Sequence, residues 1–404
     1  MNDLLMAARA GARDRAPAET LPHVVLVMSE SFCDPSVVLP GVTFSADPIP
    51  NYHALAEDFP AGDFLSNTYA GGTGNVEVEV LTGVPLGFVS EGEDLTSLKD
   101  PDAYERMPSI VRAFRDQGYA TEFIHSYTNR LYDRSDNLPE LGYEKVLFQE
   151  DFPADAEWDG PYLTDMALAE MMIAEFEARD RDKPMFLFGL SMENHQPYFT
   201  DKFDGPSGLE PACEELDAWE LGVVDALAQG LNGADESLGA LVEYFSGVDE
   251  PVLLVFWGDH LPSLYLDPED TVYSRIGYVD TANTKDWDDA TMKKMHTTPY
   301  LVWNNYGAEP EVPDTLSAAT LGARIMDWAG AERPLFFEWN ALAARHMLLS
   351  RQQLFVDGSG TPYRSVELAP EASQLTMAAY EDLVYDILYG EGYVADEMLA
   401  LSRP

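Results

Sequence analysis

Three short runs of this chain are too apolar and too brief to be anything but strands covered on both faces. They are "HVVLVM" (23–28), "MFLFGL" (185–190) and "VLLVFWG" (252–258). A strand with one wet face alternates apolar and polar residues, whereas these are continuously apolar, as in a parallel sheet sandwiched between helices. Four helical patterns separate or follow them, at 105–117, 164–180, 215–246 and 314–328, the third with Gly230 and Gly233 as weak points. "DFLSNTYAGG", "YATEFIHS" and "TPYLVWNN" read as further strands. The alternation predicts an α/β fold, a mostly parallel central sheet flanked by helices. From residue 336 the pattern changes to a helix, two strand-like pieces ("QQLFVDG", "PYRSVEL") and the helix "MAAYEDLVYDILYG". We expect a linker or juxtamembrane segment at 1–20, a catalytic domain at 21–335 and a small C-terminal α+β subdomain at 336–404.

Charge narrows the partners. The 404 residues carry 71 acidic and 24 basic side chains, a formal net charge of −47. Nucleic acid is excluded as a partner, because the phosphate backbone needs a basic footprint. Any anionic substrate needs a metal or a few placed cations. Two cysteines, Cys33 and Cys213, make neither a disulfide framework nor a zinc-ribbon pattern, and whether they pair stays open. No apolar run approaches the ~18 residues that cross a bilayer, and the start has no signal-peptide pattern.

In an open α/β sheet, ligands bind beyond the carboxyl ends of the strands. Four such ends here carry polar groups: Glu30, Thr73, His195 and the pair Asp259-His260. Carboxylate and imidazole together suit a divalent metal. Glu30 adds a second carboxylate and Thr73 a hydroxyl, whose pKa a neighbouring cation lowers. "GGTG" at 71–74 permits close backbone approach, and the helix after it aims its N-terminal amides at a phosphate.

The segments "VVLVMSESFCDP", "GVTFSADPIPNYH", "YAGGTGNVEVEVLTG", "SMENHQPY" and "FWGDHLP" follow one another in this order. Together they resemble the lipoteichoic acid synthase and phosphoglycerol transferase family of the alkaline phosphatase and sulfatase superfamily, over residues 21 to 330. The tail "YEDLVYDILYGEGYV" is similar to the end of many Gram-positive members. The resemblance implies an extracellular catalytic domain with a single divalent ion, Mn2+ first, Mg2+ or Zn2+ as alternatives. Its ligands would be Glu30, Thr73, Asp259 and His260, with Thr73 as the nucleophile. "HSYTNRLYDRSDNLPELGYE" is similar to the family's glycerol phosphate segment, which puts Tyr132, where the synthases more often have Trp, and Arg134 on the substrate together with His195.

Three residues are expected around this site. His296 stands where two-metal members of the superfamily place a third histidine, but their further carboxylate falls here on Ser191, a poor ligand, so a single metal is expected. His125 ends a strand and either orients Arg134 or packs in the core; Arg130 is placed to meet a phosphate. His23, His53 and His346 read as structural. The implied reaction moves glycerol phosphate from a phosphatidylglycerol-like lipid, through Thr73, to a polyol or glycerophosphate acceptor, building or decorating a cell-envelope polymer. It would run at the outer face of the cell membrane, on a domain held by an anchor outside this sequence. The rival reading is a phosphodiesterase, phosphatase or sulfatase-like hydrolase with water as acceptor. A sulfatase nucleophile lies in a C/S-x-P-x-R pattern that "TGNVE" lacks, and two cysteines do not reproduce the disulfides of a phosphoethanolamine transferase. A silent binding module with this fold has no use for the intact Glu30, Thr73, Asp259 and His260 set.

Overall fold

The computed structural model describes residues 2–14, 20–90, 93–100 and 102–401. Eight strands form its central sheet: β1 (His23–Ser29), β2 (Ala61–Leu65), β3 (Ala120–His125), β4 (Lys145–Leu147), β5 (Met185–Leu190), β6 (Val252–Gly258), β7 (Thr297–Asn304) and β8 (Thr315–Ser317). Their order is β8-β2-β7-β6-β1-β5-β3-β4. β1 lies between β5 and β6, parallel to both. Only β7 runs against its neighbours. The start of β7 therefore meets the same sheet edge as the ends of β1, β2 and β6, and this edge is where the polar motifs gather.

Every residue of β1, β5 and β6 is buried. Alternate side chains divide between the two faces. Val24, Leu26, Met28, Phe186, Phe188, Val255 and Trp257 enter one apolar cluster. Val25, Val27, Leu187, Leu254 and Phe256 enter the other. Each such Val, Leu or Phe contributes about 1.5–3 kcal/mol of burial, which is why these runs admit no polar residue until the strand ends. The first face is covered by α2 (Thr73–Thr82), α7 (Ala318–Trp328), α8 (Leu335–Ala343) and α9 (Glu371–Leu388). The second is covered by α4 (Asp165–Ala178) and α5 (Ala218–Ser246). Helix α1 (Asn2–Asp14) packs on α8; residue 1 and residues 15–19 of the expected linker lie outside the described residues.

Several expected elements differ in extent. The helix expected over 105–117 is broken at Met107-Pro108, since proline disfavours α geometry in the residue before it. It resumes at Ile110–Asp116, where the Ser109 side chain accepts from the Arg112 amide. α5 passes unbroken through Gly230 and Gly233, where a β-carbon would press on Asn194 and Glu193. The strand expected over 63–72 ends at Leu65, and the remainder is a turn. At the C-terminus, β9 (Met347–Arg351), β10 (Leu354–Asp357) and β11 (Pro362–Tyr363) form a small sheet. β9 was not expected, because "MLLSR" is short and its apolar residues also fit a helix end. α8 and α9 share the main apolar cluster through Phe336, Trp339, Tyr380 and Val384.

Gly258 shows how tightly the site edge is drawn. A β-carbon there would stand 2.0 Å from the Phe32 carbonyl oxygen. Gly258→Val should cost ~1–3 kcal/mol in urea unfolding, as overpacking does. Gly247→Ala, whose nearest contact is 3.4 Å away, should stay within ~0.5 kcal/mol.

Candidate active site

The turn from Thr68 to Thr73 is built around positive φ angles: Ala70 at 61°, Gly71 at 132° and Gly72 at 90°. A β-carbon on Gly72 would lie 2.8 Å from the Thr68 side chain, so only glycine fits. Gly72 caps α2 without a side-chain acceptor. The Gly72 carbonyl takes the Asn75 amide, while the amides of Thr73 and Gly74 have no acceptor among the described residues. Such open first-turn N–H groups form an anion-binding end.

Thr73 stands first in this helix and is 7% exposed. Its Oγ1 donates to Glu30 Oε2 at 3.1 Å and lies 3.4 Å from His260 Nε2. Glu30 follows β1 directly and Asp259-His260 follows β6, its parallel neighbour, so strand pairing sets their spacing. The ligand atoms of Glu30, Asp259 and His260 lie within 4.8 Å of one another, and this is the one such His/Cys/Asp/Glu group of three among the described residues. Their orientation is fixed from outside. Asp259 Oδ1 accepts from the Ser31 and His260 amides, both at 2.7 Å. Glu30 Oε1 accepts from the Ser31 hydroxyl, and the Glu30 amide donates to Ser191 Oγ at 3.0 Å. His260 Nδ1 donates to the Leu261 carbonyl, which leaves the Nε2 lone pair facing the cluster.

The cluster fits a cation. Asp259 Oδ2 is buried without a hydrogen-bond partner, an orphan that native interiors rarely tolerate. Burial, then the charge of Glu30, push the Asp259 carboxyl well above the usual carboxylate range. Two carboxylate oxygens, an imidazole nitrogen and a hydroxyl form a donor set for a divalent ion such as Mn2+, Mg2+ or Zn2+. His296 begins the same sheet edge, but both its ring nitrogens are used, by the Met292 carbonyl and by Arg351. Ser191 braces Glu30. Neither residue offers a free atom to a further ion.

Tyr132 and Arg134 flank the helix start. The Tyr132 ring lies against Gly74, where a β-carbon would fall 2.8 Å from the ring. Arg134 is buried, with Nε on Glu77 Oε2 at 2.9 Å and its guanidinium 4.9 Å from the Tyr132 ring centroid. Its two terminal amino groups have no hydrogen-bond partner among the described residues. His195 is half-buried, its Nδ1 3.5 Å from the Tyr162 hydroxyl. Gln196 ties this loop to the nucleophile turn by donating to the Ala70 carbonyl at 2.8 Å. His125 is buried, its Nδ1 on the Leu190 carbonyl; burial, then Arg134, hold it neutral. Arg130 is exposed and its side chain meets none of these groups. Cys33 and Cys213 are both free thiols.

Three groups escaped the sequence reading. Glu77 carried a signal, since it stands four residues after Thr73 on the same helix. Lys202 and Tyr162 carried none. Lys202 is 3% exposed and donates to the carbonyls of His195 (2.8 Å) and Glu193 (3.3 Å), so it props the His195 loop from below. Burial lowers its pKa to about 7.

Two outcomes are expected. Mn2+ at 100 times its dissociation constant should stabilise the protein by ~2.7 kcal/mol in thermal or urea unfolding, and Asp259→Ala should remove that gain. The second concerns His296, whose pKa burial and then Arg351 lower to about 3 from 6.5. Between those values the unfolded chain binds a proton that the native one does not, so His296 lowers stability progressively as pH falls from 6.5 toward 3. The slope is ~1.4 kcal/mol per pH unit for one proton. His296→Gln should unfold in urea with that component missing.

Comparison with known proteins agrees with this geometry. The sulfatase family profile matches residues 22–331. A Rhizobium meliloti (strain 1021) protein, provisionally named a cyclic beta-1,2-glucan modification protein, is 29% identical over 398 residues, covering 95% of this chain and 59% of that protein. The chain spans less than two thirds of the curated relatives it matches. Among solved structures, the Streptococcus pyogenes phosphoglycerol transferase GacH, in complex with sn-glycerol-1-phosphate, superposes with a TM-score of 0.79 at 21% identity, covering 99% of this chain and 95% of that one. The lipoteichoic acid synthase LtaP of Listeria monocytogenes gives 0.65 at 14%, covering 98% and 99%. On the profile match over residues 22–331, the chain belongs to the sulfatase family.

Proposed function

We propose that this chain is the catalytic domain of a metal-dependent phosphoglycerol transferase that uses Thr73 as a covalent nucleophile. One observation carries the reading. The Thr73 hydroxyl lies at the open N-terminus of α2, 3.1 Å from Glu30 and 3.4 Å from His260, inside a carboxylate–imidazole cluster in which Asp259 Oδ2 has no hydrogen-bond partner. Glu30, Asp259, His260 and Thr73 would hold the divalent ion, Mn2+ in our reading. Such an ion supplies positive charge that lowers the pKa of a nearby hydroxyl and screens phosphoryl oxygens.

The chain's own groups would do the rest. A phosphodiester of a phosphatidylglycerol-like lipid docks its non-bridging oxygens on the Thr73 and Gly74 amides and the free amino groups of Arg134. The Tyr132 ring covers the glycerol. Thr73 Oγ1 would yield its proton toward Glu30 Oε2, 3.1 Å away, and form a bond to phosphorus. The bond from phosphorus to the diacylglycerol oxygen breaks, and His195 is placed to give that oxygen a proton. An acceptor hydroxyl, a polyol or glycerophosphate in the first reading, then gives its proton to His195 and bonds to phosphorus; the Oγ1–P bond breaks, and the proton held by Glu30 returns to Thr73. His125, neutral and buried, backs Arg134 and His195; His296 with Arg351 buttresses the cluster. GacH and LtaP share the fold, and their names state a phosphoglycerol transferase and a lipoteichoic acid synthase, which supports this chemistry. A lipid donor puts the reaction at the outer face of the cell membrane. No helix among the described residues is long and apolar enough to cross a membrane.

The test is release of labelled diacylglycerol from phosphatidylglycerol vesicles with Mn2+. Thr73→Ala should lose ~10³-fold or more, and chelation should abolish the activity. Arg134→Lys, which forfeits the planar fork, should lose ~10²-fold. Equal release by wild type and Thr73→Ala would sink the covalent reading. Release of free glycerol phosphate, with no transfer to any added polyol or glycan, would make the chain a hydrolase.

A further inference from the structure

Beside Glu193, two residues before His195, lies a cleft of about 520 Å³ that the chemistry above does not use. Its wall includes Trp158, Glu157, Asp204, Glu236, Asn232 and Glu193, and no Lys, Arg or His. The Trp158 indole is 48% exposed. The side chains of Glu157, Asp204 and Glu236 are exposed and without protein partners. Glu193 is 4% exposed, and its Oε2 accepts the Asp165 amide at 2.5 Å. Asn232 donates to the Pro48 carbonyl and keeps its own oxygen free.

The cleft is coupled to the nucleophile through short, defined contacts. Trp158 belongs to a two-stranded ribbon in which Asp159 pairs with Tyr162. The Tyr162 hydroxyl meets His195 at 3.5 Å. Asp159 pins the ribbon in place by accepting from Gln229 of α5 at 3.0 Å and from the Asp204 amide at 2.6 Å. Glu193 is two residues from His195, and Gln196 joins that loop to the turn that carries Thr73. These contacts link the Trp158 ribbon to the His195 loop and, through Gln196, to the turn that carries Thr73.

The chemistry of the wall selects the occupant. Carboxylate and amide oxygens accept hydroxyl hydrogens, and an indole face stacks on the C–H face of a sugar ring. A glycerophosphate chain would bring phosphates against carboxylates with no cation between them, at a cost of ~4 kcal/mol for each unit pair 4 Å apart in partly polar surroundings. A metal ion is not matched either, since these carboxylates do not converge into a group of three ligands. We propose that this cleft is the acceptor subsite and that the acceptor is a neutral glycan, held by Trp158 and by hydroxyl hydrogen bonds to Glu193, Glu236 and Asn232. The word acceptor rests on the transferase reading; the glycan site does not.

The experiment is calorimetric titration of a neutral gluco-oligosaccharide into the Thr73→Ala protein with Mn2+ present, so that binding is read without turnover. Saturable binding is expected. It should weaken about tenfold or more, ~1.4 kcal/mol, in the added Trp158→Ala and Glu236→Lys variants, both at exposed positions, and change little with ionic strength. Absence of binding, binding indifferent to both substitutions, tighter binding of a glycerophosphate oligomer, or binding of calcium ions in place of the sugar would each overturn the site. Diacylglycerol release by wild type without glycan is scored separately. Release without glycan binding removes the acceptor subsite and keeps the transferase; glycan binding without release does the reverse.

Discussion

Two carboxylates that the fold forces together, Glu30 and Asp259, set the terms for the rest of this molecule. They end adjacent parallel strands whose apolar residues leave no choice of register, so neither side chain can turn away to water. Backbone amides and the hydroxyls of Ser31 and Thr73 bond three of the four carboxylate oxygens, and Asp259 Oδ2 remains without a hydrogen bond. Such an arrangement is unfavourable by itself, because buried like charges repel and lose their hydration. It makes sense as a preformed cation site, with the strain of the metal-free state borne by the burial energy of the strands beneath.

The same logic explains how an acidic protein handles a phosphate. With a formal charge of −47, the surface as a whole repels anions. Attraction is therefore local: the open amides at the start of α2, the forked end of Arg134 and the carboxylate cluster meet at one sheet edge. Arg134 is kept there by Glu77, which holds Nε and leaves the two amino groups forward. A buried pair of this kind positions more than it stabilises. The cleft lined by Glu193 keeps the acidic character of the surface, with no Lys, Arg or His in its wall.

Much of this was legible along the chain. The continuous apolar runs at 23–29, 185–190 and 252–258 signal strands covered on both faces, and polar residues directly after them signal a sheet edge with a site. The glycines before Thr73 signalled a sharp turn into a helix. The misreadings share one cause: local pattern does not show where a tertiary partner ends an element. "DFLSNTYAGG" looks extended throughout, yet pairing stops at Leu65, because only that far does β7 offer a partner. Gly230 and Gly233 look like helix breaks, yet they are where Asn194 and Glu193 press on α5. His296 has the position of a ligand, but the tertiary structure gives both its nitrogens to Met292 and Arg351, and Arg351 comes from β9, a strand that carries no clear pattern.

The sequence by itself determined the class of fold and the residues with chemistry, because burial on both faces and glycine at positive φ are demands that few residue types satisfy. Which of those residues face one another was decided only by the tertiary structure. Strand order brings Glu30 and Asp259-His260 side by side across 229 positions of chain (259 − 30). The reversed direction of β7 returns His296 to the same edge, and a two-residue ribbon carries Tyr162 to His195. These are consequences of hydrogen-bonded pairing and packing between distant segments, and nothing in a local stretch of residues encodes them.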